Sequence, residues 1–363
     1  MIDLGEPLGL KAPGSGKTRR PIALVPLALL VGLLLAGGLW VALVDDPLGG
    51  EPVATARLDT AAEALAGEGM SVVDVRSPAA AEVPGEAPAP AEGPREDAGR
   101  FDLVAAEGLI EDGPHGPLPR IAASGARPID AYARRGPVVV GGAPRIAIIV
   151  GGLGISQSGT QAALAALPPD ITLAFAPYGA SLDRWVGRAR EAGHEVLLQI
   201  PLEPFDYPDN DPGPETLLTT LSPADNLDRL HWLLARITGY VGVVNYMGAR
   251  YTAAEAPLTA TMDEIAGRGL LWVDDGSSAR SLSAGIAGEA MPFAKVDVVI
   301  DAVASPEDIA ARLSQLEGIA RGRGVAIGAA SALPVSVERL AAWAETLEAR
   351  GITLIPITAT IGQ

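Results

Sequence analysis

Residues 145–175 read RIAIIVGGLGISQSGTQAALAALPPDITLAF, and the fold class follows from this stretch. Two short apolar runs, 145–150 and 171–175, flank an amphipathic segment. The runs have strand length, and the segment between them has the mixed composition of a helix lying on a sheet. Two strands joined by such a crossover are parallel neighbours, because antiparallel ones need only a tight turn. The same alternation continues with apolar runs at 195–198, 242–244, 270–273, 296–300, 324–328 and 352–355. Eight runs alternating with amphipathic segments predict an α/β fold, a (β/α) barrel ahead of an open doubly wound sheet.

The helices between the runs carry start signals. Ser222-Pro223-Ala224-Asp225 and Ser305-Pro306-Glu307-Asp308 each put a capping serine before a proline, with an acid three residues on. In the second, Ile309, Leu313, Leu316 and Ala320 form the stripe to be buried, and Gly322 is the expected C-cap.

Upstream of residue 144 the character changes twice. Residues 21–44, PIALVPLALLVGLLLAGGLWVALV, contain no charge and are long enough to cross a hydrocarbon core of roughly 30 Å as a helix. Lys11, Lys17, Arg19 and Arg20 precede the run, and Asp45 and Asp46 follow it. The positive-inside rule then puts residues 1–20 in the cytoplasm and everything after 44 on the far side. A cleaved signal peptide would have a shorter apolar core and a small-residue cleavage site, so an uncleaved anchor is the preferred reading. Residues 45–143 are rich in Ala, Pro, Glu and Gly, as in SPAAAEVPGEAPAPAEGPRED, and read as a disordered linker with an end-to-end distance on the order of 55 Å. A short helix near 58–66 and an extended piece near 138–140 are its local exceptions. The folded domain is expected over 144–363.

Composition excludes several functions. The 363 residues carry a formal net charge of -17, which argues against nucleic acid as a partner. There is no cysteine, so disulfides, thiolate metal sites and cysteine nucleophiles are absent. There are three histidines. His115 falls in the linker, His194 precedes its strand, and His231 sits within a helix beside Trp232, where a structural role is expected. A histidine-based zinc centre therefore has no ligands to draw on.

In a parallel barrel the reacting groups follow the carboxyl ends of the strands. Those positions hold Gly151-Gly152, Pro177-Tyr178, Gln199 with Glu203, Asn245-Tyr246, Asp274-Asp275, Asp301, Ala329 to Ser331, and Thr358. Glu203, Asp274 and Asp301 are the catalytic candidates. Tyr178, Asn245, Tyr246 and Arg250 are the candidates for holding substrate. Asp274, Asp275 and Asp301 could bind a hard cation through oxygen alone, or cap helices and hold loops. Glu203 reads equally as a base or as the anchor of a proline-rich loop. Arg250 suits a ligand's carboxylate or phosphate, or an ion pair with an acid such as Glu255. Tyr178, Tyr246, Tyr251 and Trp272 offer flat faces to sugar rings, Trp272 fitting the core better. The Gly151-Gly152-Leu153-Gly154 turn does not make a dinucleotide site, because the third glycine of G-x-G-x-x-G would fall at Gln157.

IAIIVGGLG, LPPDITLAFAPY, AGHEVLLQIPLEP, DPGPETLL, GYVGVVNYMGARYT, RGLLWVDD and GITLIPIT, in this order, resemble the divergent polysaccharide deacetylases of bacterial envelopes. The resemblance covers about residues 144–361. It implies a distorted (β/α) barrel of the polysaccharide-deacetylase type and metal-assisted removal of acetyl groups from amino sugars, in which a metal-bound water attacks the amide and a carboxylate serves as base. It also implies an inner-membrane protein of a bacterium, single-pass, with the domain in the periplasm and an envelope glycan or peptidoglycan as partner. The sequence departs from the family where that chemistry sits. Gly151 and Gly152 stand where the family places two aspartates, and Gln199, Tyr246 and Ser331 stand where it places histidines. Glu203, Asn245, Arg250, Asp274, Asp297 and Asp301 remain. Three functions are expected in turn: a non-catalytic glycan-binding relative without a cofactor, a de-N-acetylase with a rebuilt carboxylate site and a divalent metal, and a scaffold for another envelope protein.

Overall fold

The computed structural model describes residues 108–134, 142–289 and 291–361. The apolar segment 21–44, the stretch before it, the linker up to residue 107 and the piece near 138–140 lie outside the described residues. Among the described residues no helix is long and apolar enough to cross a membrane.

The described residues begin with a hairpin, β1 (Ile110–Gly113) and β2 (Gly116–Pro119), and a short helix α1 (Pro128–Ala131). It continues through β3 (Arg145–Leu153), α2 (Gln157–Ala166), β4 (Thr172–Phe175), α3 (Leu182–Glu191), β5 (Val196–Leu202), α4 (Pro223–Leu234), β6 (Gly242–Met247), α5 (Glu255–Gly267) and β7 (Leu271–Asp274). Then follow α6 (Ser283–Ala287), β8 (Phe293–Lys295), β9 (Val298–Val299), α7 (Pro306–Arg323), β10 (Val325–Ser331), α8 (Pro334–Ala344) and β11 (Thr353–Ile355).

All pairings in the main sheet are parallel, in the order β8-β7-β6-β5-β4-β3-β10-β9. The two strands at the ends of that order, β8 and β9, are separated in sequence only by Val296 and Asp297. The Val296 amide donates to the Asp274 carbonyl at 2.9 Å, and the Asp297 amide donates to the Ile327 carbonyl at 2.8 Å. One short segment thus bonds to β7 on one side and β10 on the other, so the sheet curls until its edges meet. This is the barrel rather than the doubly wound alternative, whose strand order would reverse within an open sheet. The eighth stave is irregular. β11 pairs with the start of β3 through Thr353–Arg145 and Ile355–Ala147, below the point where β4 begins its own pairing at Ile149. β8 is an addition to the eight expected runs.

Alternation along the strands divides the core in two. On β3, Ile146, Ile148 and Val150 pack outward under the helices, and Ala147 and Ile149 pack inside the barrel. On β7, Trp272 faces outward, and Leu271 and Val273 face inward. The helices obey their signals. The hydroxyls of Ser222 and Ser305 accept from the amides of Asp225 and Asp308, each at 3.2 Å. Ile309, Leu313, Leu316 and Ala320 are the buried residues of α7. Its cap is Gly324 at φ 85°, not Gly322, because the helix continues for two more residues before the chain needs a left-handed turn into β10.

The boundary expected at residue 144 is corrected. Within the stretch read as linker, residues 108–134 are folded, and Leu109, Ala122, Ile129, Ala131 and Tyr132 join the inner core. The hairpin is pinned by charge. Arg268 Nη1 donates to Glu111 at 2.9 Å and to the Pro119 carbonyl at 2.8 Å, and His115 Nε2 lies 2.8 Å from Asp228 Oδ1 on α4.

Candidate functional site

At the carboxyl ends of the strands lies a cavity of about 750 Å³. Its floor comes from Ile149, Ala174, Val244 and Ala329, inward apolar residues of their strands, and its walls from the strand ends above them and the loops that follow. A second hollow of about 600 Å³ lies outside the barrel between α4 and α5. It is lined mainly by apolar side chains, with Asn226, Asp263 and Glu264 among them.

The expected residues separate into two groups. Tyr178, Asn245, Tyr246 and Asp301 line the cavity, together with Gln199, Asp275, Ser277 and Ser331. Glu203, Arg250 and Asp274 do not. Glu203 is 2% exposed beneath the loop that follows β5, and its Oε2 accepts from the amide and hydroxyl of Thr219 at 2.6 and 2.7 Å. Arg250 donates to Glu203 Oε1 at 3.1 Å and to the Phe205 carbonyl at 2.7 Å. The pair holds the 203–219 loop in place, so Glu203 is its anchor, and the acid that pairs with Arg250 is Glu203 rather than Glu255. Asp274 is buried and accepts from the Gly276 amide at 2.8 Å and from the Ser281 hydroxyl. Tyr251, expected as a sugar platform, is fully buried, with its hydroxyl 2.8 Å from Thr261 Oγ1. Trp272 is core, as expected.

Asp275 is the cavity acid that the choice of Asp274 passed over. The signal was the alternation of β7: Val273 points inward, so its i+2 neighbour does too, and Asp274 cannot. Ser277 donates to Asp275 Oδ1 from its amide and hydroxyl at 2.9 and 2.7 Å. Burial pushes the Asp275 carboxyl above the usual carboxylate range against these bonds, with Asp274 adding a like charge. Asp301 Oδ2 accepts from the Ser331 amide and the Ser336 hydroxyl, both at 2.7 Å. Asp301 Oδ1 has no hydrogen-bond partner among the described residues, and the Asn245 side chain joins Ser277 in bonding the Asp275 carboxyl. Asn245 acts as a clasp: its Oδ1 accepts from the Asp275 amide at 2.8 Å, and its Nδ2 donates to the Met247 carbonyl at 2.7 Å. Met247 is at φ 58°, a left-handed conformation that this clasp helps to hold. The Tyr178 hydroxyl donates to the Pro214 carbonyl, and burial raises its phenol. Tyr246 is 43% exposed at the mouth, with its hydroxyl unbonded among the described residues.

The glycine pair has a physical cost to reverse. Gly152 sits at φ 79° in a bulge where the β3–β4 register shifts, and its amide donates to Gln199 Oε1 at 2.8 Å. A Cβ at Gly151 would come within 3.0 Å of Gln199 Nε2. Gln199 and the two glycines are therefore a fitted set, in which the amide fills the space a side chain at 151 would take.

This donor set does not fit a catalytic zinc centre, which takes three protein ligands. Asp275 and Asp301 are the only His, Asp or Glu in the lining, and among the described residues no three such side chains gather. Asp274, the third member of the expected cation site, points away. His194 is buried with Nδ1 2.8 Å from the Ile171 carbonyl, and His231 Nε2 lies 2.7 Å from Glu264. Both are structural.

The family model described as divergent polysaccharide deacetylase matches residues 148–361. An uncharacterized protein, ATU2773 of Agrobacterium tumefaciens C58, has a solved structure with 48% identity and a TM-score of 0.65, covering 68% of this chain and 99% of that one. The catalytic domain of a peptidoglycan N-acetylglucosamine deacetylase from Eubacterium rectale ATCC 33656 matches at 15% identity and a TM-score of 0.39, over 60% of this chain and 90% of that one. No curated protein matches the chain.

Proposed function

The chain belongs to the divergent polysaccharide deacetylase family, and from that premise we propose that its domain binds envelope glycan without hydrolysing it. One observation carries the reading: the strand-end cavity has room for sugar rings but offers two carboxylates and no histidine. Metal-assisted amide hydrolysis needs an ion to polarise the carbonyl and to make a nucleophile of water. The lining supplies fewer protein ligands than a catalytic zinc takes. What it does supply suits binding. Tyr246 presents an aromatic face at the mouth, and the amide of Gln199 and the carboxyl groups of Asp275 and Asp301 can orient hydroxyl groups.

In this reading residues 21–44 tether the protein to the bacterial inner membrane, with the domain in the periplasm beside peptidoglycan. A protein of the envelope is a further partner that such a scaffold would serve. A second reading, a de-N-acetylase with a rebuilt site and a divalent metal, draws on the presence of Asp275 and Asp301 in one cavity. Purified full-length protein should sediment saturably with peptidoglycan, carry no stoichiometric metal and release no acetate from N-acetylated glycans. Acetate release that follows bound metal and disappears in both Asp275→Ala and Asp301→Ala would establish the hydrolase instead. Co-purification of a single envelope protein without glycan binding would establish the scaffold.

A further inference from the structure

The cavity is one-sided in charge. Asp275 and Asp301 line it, and no lysine, arginine or histidine does. The arginines of the surrounding loops are engaged elsewhere. Arg250 is held by Glu203 and the Phe205 carbonyl, Arg236 donates to the Pro177 carbonyl at 3.0 Å, and the Arg280 guanidinium lies 4.3 Å from the centre of the Phe205 ring. Asp301 has one oxygen fixed by the Ser331 amide and the Ser336 hydroxyl and the other unbonded among the described residues, and Asp275 is held by Ser277 and the Asn245 side chain, all of them uncharged donors.

We propose that this cavity selects amino sugars bearing a free ammonium group, that is, already deacetylated hexosamine units, over N-acetylated and anionic sugars. The inference rests on the glycan-binding reading and sharpens it. An ammonium brings three donors and the positive charge that these carboxylates lack, and hydrogen bonds between ions are about twice as strong as neutral ones. An acetamido group brings one donor, one acceptor and a methyl, and leaves the acids without a counter-charge. A phosphate or uronate would meet like charge with no cation in the wall to offset it, which is discrimination by repulsion. The apolar floor of Ile149, Ala174, Val244 and Ala329 strengthens both effects by excluding water. The upward displacement of the Asp275 carboxyl fits an acid buried without a cationic partner.

The test is calorimetric titration of the full-length chain, in mild detergent, with glucosamine tetramer, N-acetylglucosamine tetramer and galacturonate tetramer. The glucosamine tetramer is expected to bind at least about tenfold more tightly than either of the others, and Asp275→Asn with Asp301→Asn should abolish the preference. Because the whole chain carries -17, a polycation is attracted to its surface in any case. A preference that survives the double exchange is that surface attraction and overturns the proposal. Should the double variant not fold, as judged by its melting curve, Asp301→Asn alone takes its place, with the preference expected to fall. Equal or tighter binding of the N-acetylated or galacturonate tetramer overturns the charge selection and leaves glycan binding standing. Binding of none of the three overturns glycan binding itself.

Discussion

Glu195 lies at the opposite end of the barrel from the cavity, fully buried, with Oε1 accepting from the Arg134 amide at 2.9 Å and from the Thr358 hydroxyl, and Oε2 from the Thr358 amide at 3.1 Å. Burial outweighs these donors and raises its carboxyl to about 7. The folded state therefore holds a proton that the unfolded chain releases near its ordinary pKa of about 4.3. The resulting stabilisation is complete below that value and is lost as pH rises through about 7, so its sign is opposite to that of a salt-bridged acid. Comparing the unfolding free energies of the wild type and Glu195→Gln should show the wild type losing on the order of 3 kcal/mol relative to the variant between about pH 5 and about pH 8. A pH-independent difference would mean that Glu195 ionises alike in both states. Two glycines give predictions of opposite sign. Gly152 and Gly187 both have open space where a Cβ would go, but Gly152 has φ 79° and Gly187 is helical within α3. Chemical denaturation should find Gly152→Ala destabilising by about 1 to 2 kcal/mol and Gly187→Ala stabilising by up to about 1 kcal/mol. At this scale the sequence was legible where parity could be read and illegible where loops intervene. Asp275 could have been placed inside the barrel from Val273. Nothing local to Glu203 says that it turns beneath its own loop to meet Thr219.

Elements were more legible than residues, because their signals are periodic and local. Each of the eight apolar runs contributes a strand or part of one, and both Ser-Pro caps start helices, since a serine oxygen and a proline ring satisfy the first helical turn whatever the tertiary context. Ser305→Ala should accordingly destabilise the domain by about 1 kcal/mol in chemical denaturation, and Ser305→Asp should restore most of it. An unchanged midpoint in Ser305→Ala would show that tertiary packing alone sets the start of α7. β8 escaped notice because its three residues, Phe293 to Lys295, lack the length for a pattern to register. Their role is set by topology: β8 and β9 are the two halves of one crossing that joins the edges of the sheet. Asp297, between them, accepts from the Ile327 amide at 2.9 Å and pairs with Arg323 at 2.7 Å. The acid kept from the family pattern therefore has a structural use here.

At the scale of the molecule, the misplaced boundary matters most. The segment IEDGPHGPLP is rich in proline and glycine, and composition alone assigns it to the linker. Its partners, which composition does not reveal, are the open lower end of the barrel and the charged face of α4 and α5. Leu109 and Ile129 are 0% and 5% exposed in the inner core, and Arg268 joins Glu111 on the hairpin to Glu264 on α5. A barrel whose strand-end cavity lies at one end needs its other end sealed, and here the N-terminal segment does the sealing. Burying side chains of this size stabilises by roughly 1.5 to 3 kcal/mol each, so losing several at once approaches the whole stability of a domain, about 5 to 15 kcal/mol. A chain starting at residue 108 is thus expected to unfold in one cooperative transition, whereas one starting at residue 144, where the alternating pattern begins, should melt at least about 10 °C lower or fail to fold. Equal melting temperatures for the two would show that the hairpin and α1 are an accessory to the barrel rather than part of its core. The dyes that report exposed apolar surface offer an independent check, because the shorter chain uncovers Ala147, Leu271 and Ile355 from below while leaving the cavity at the other end untouched.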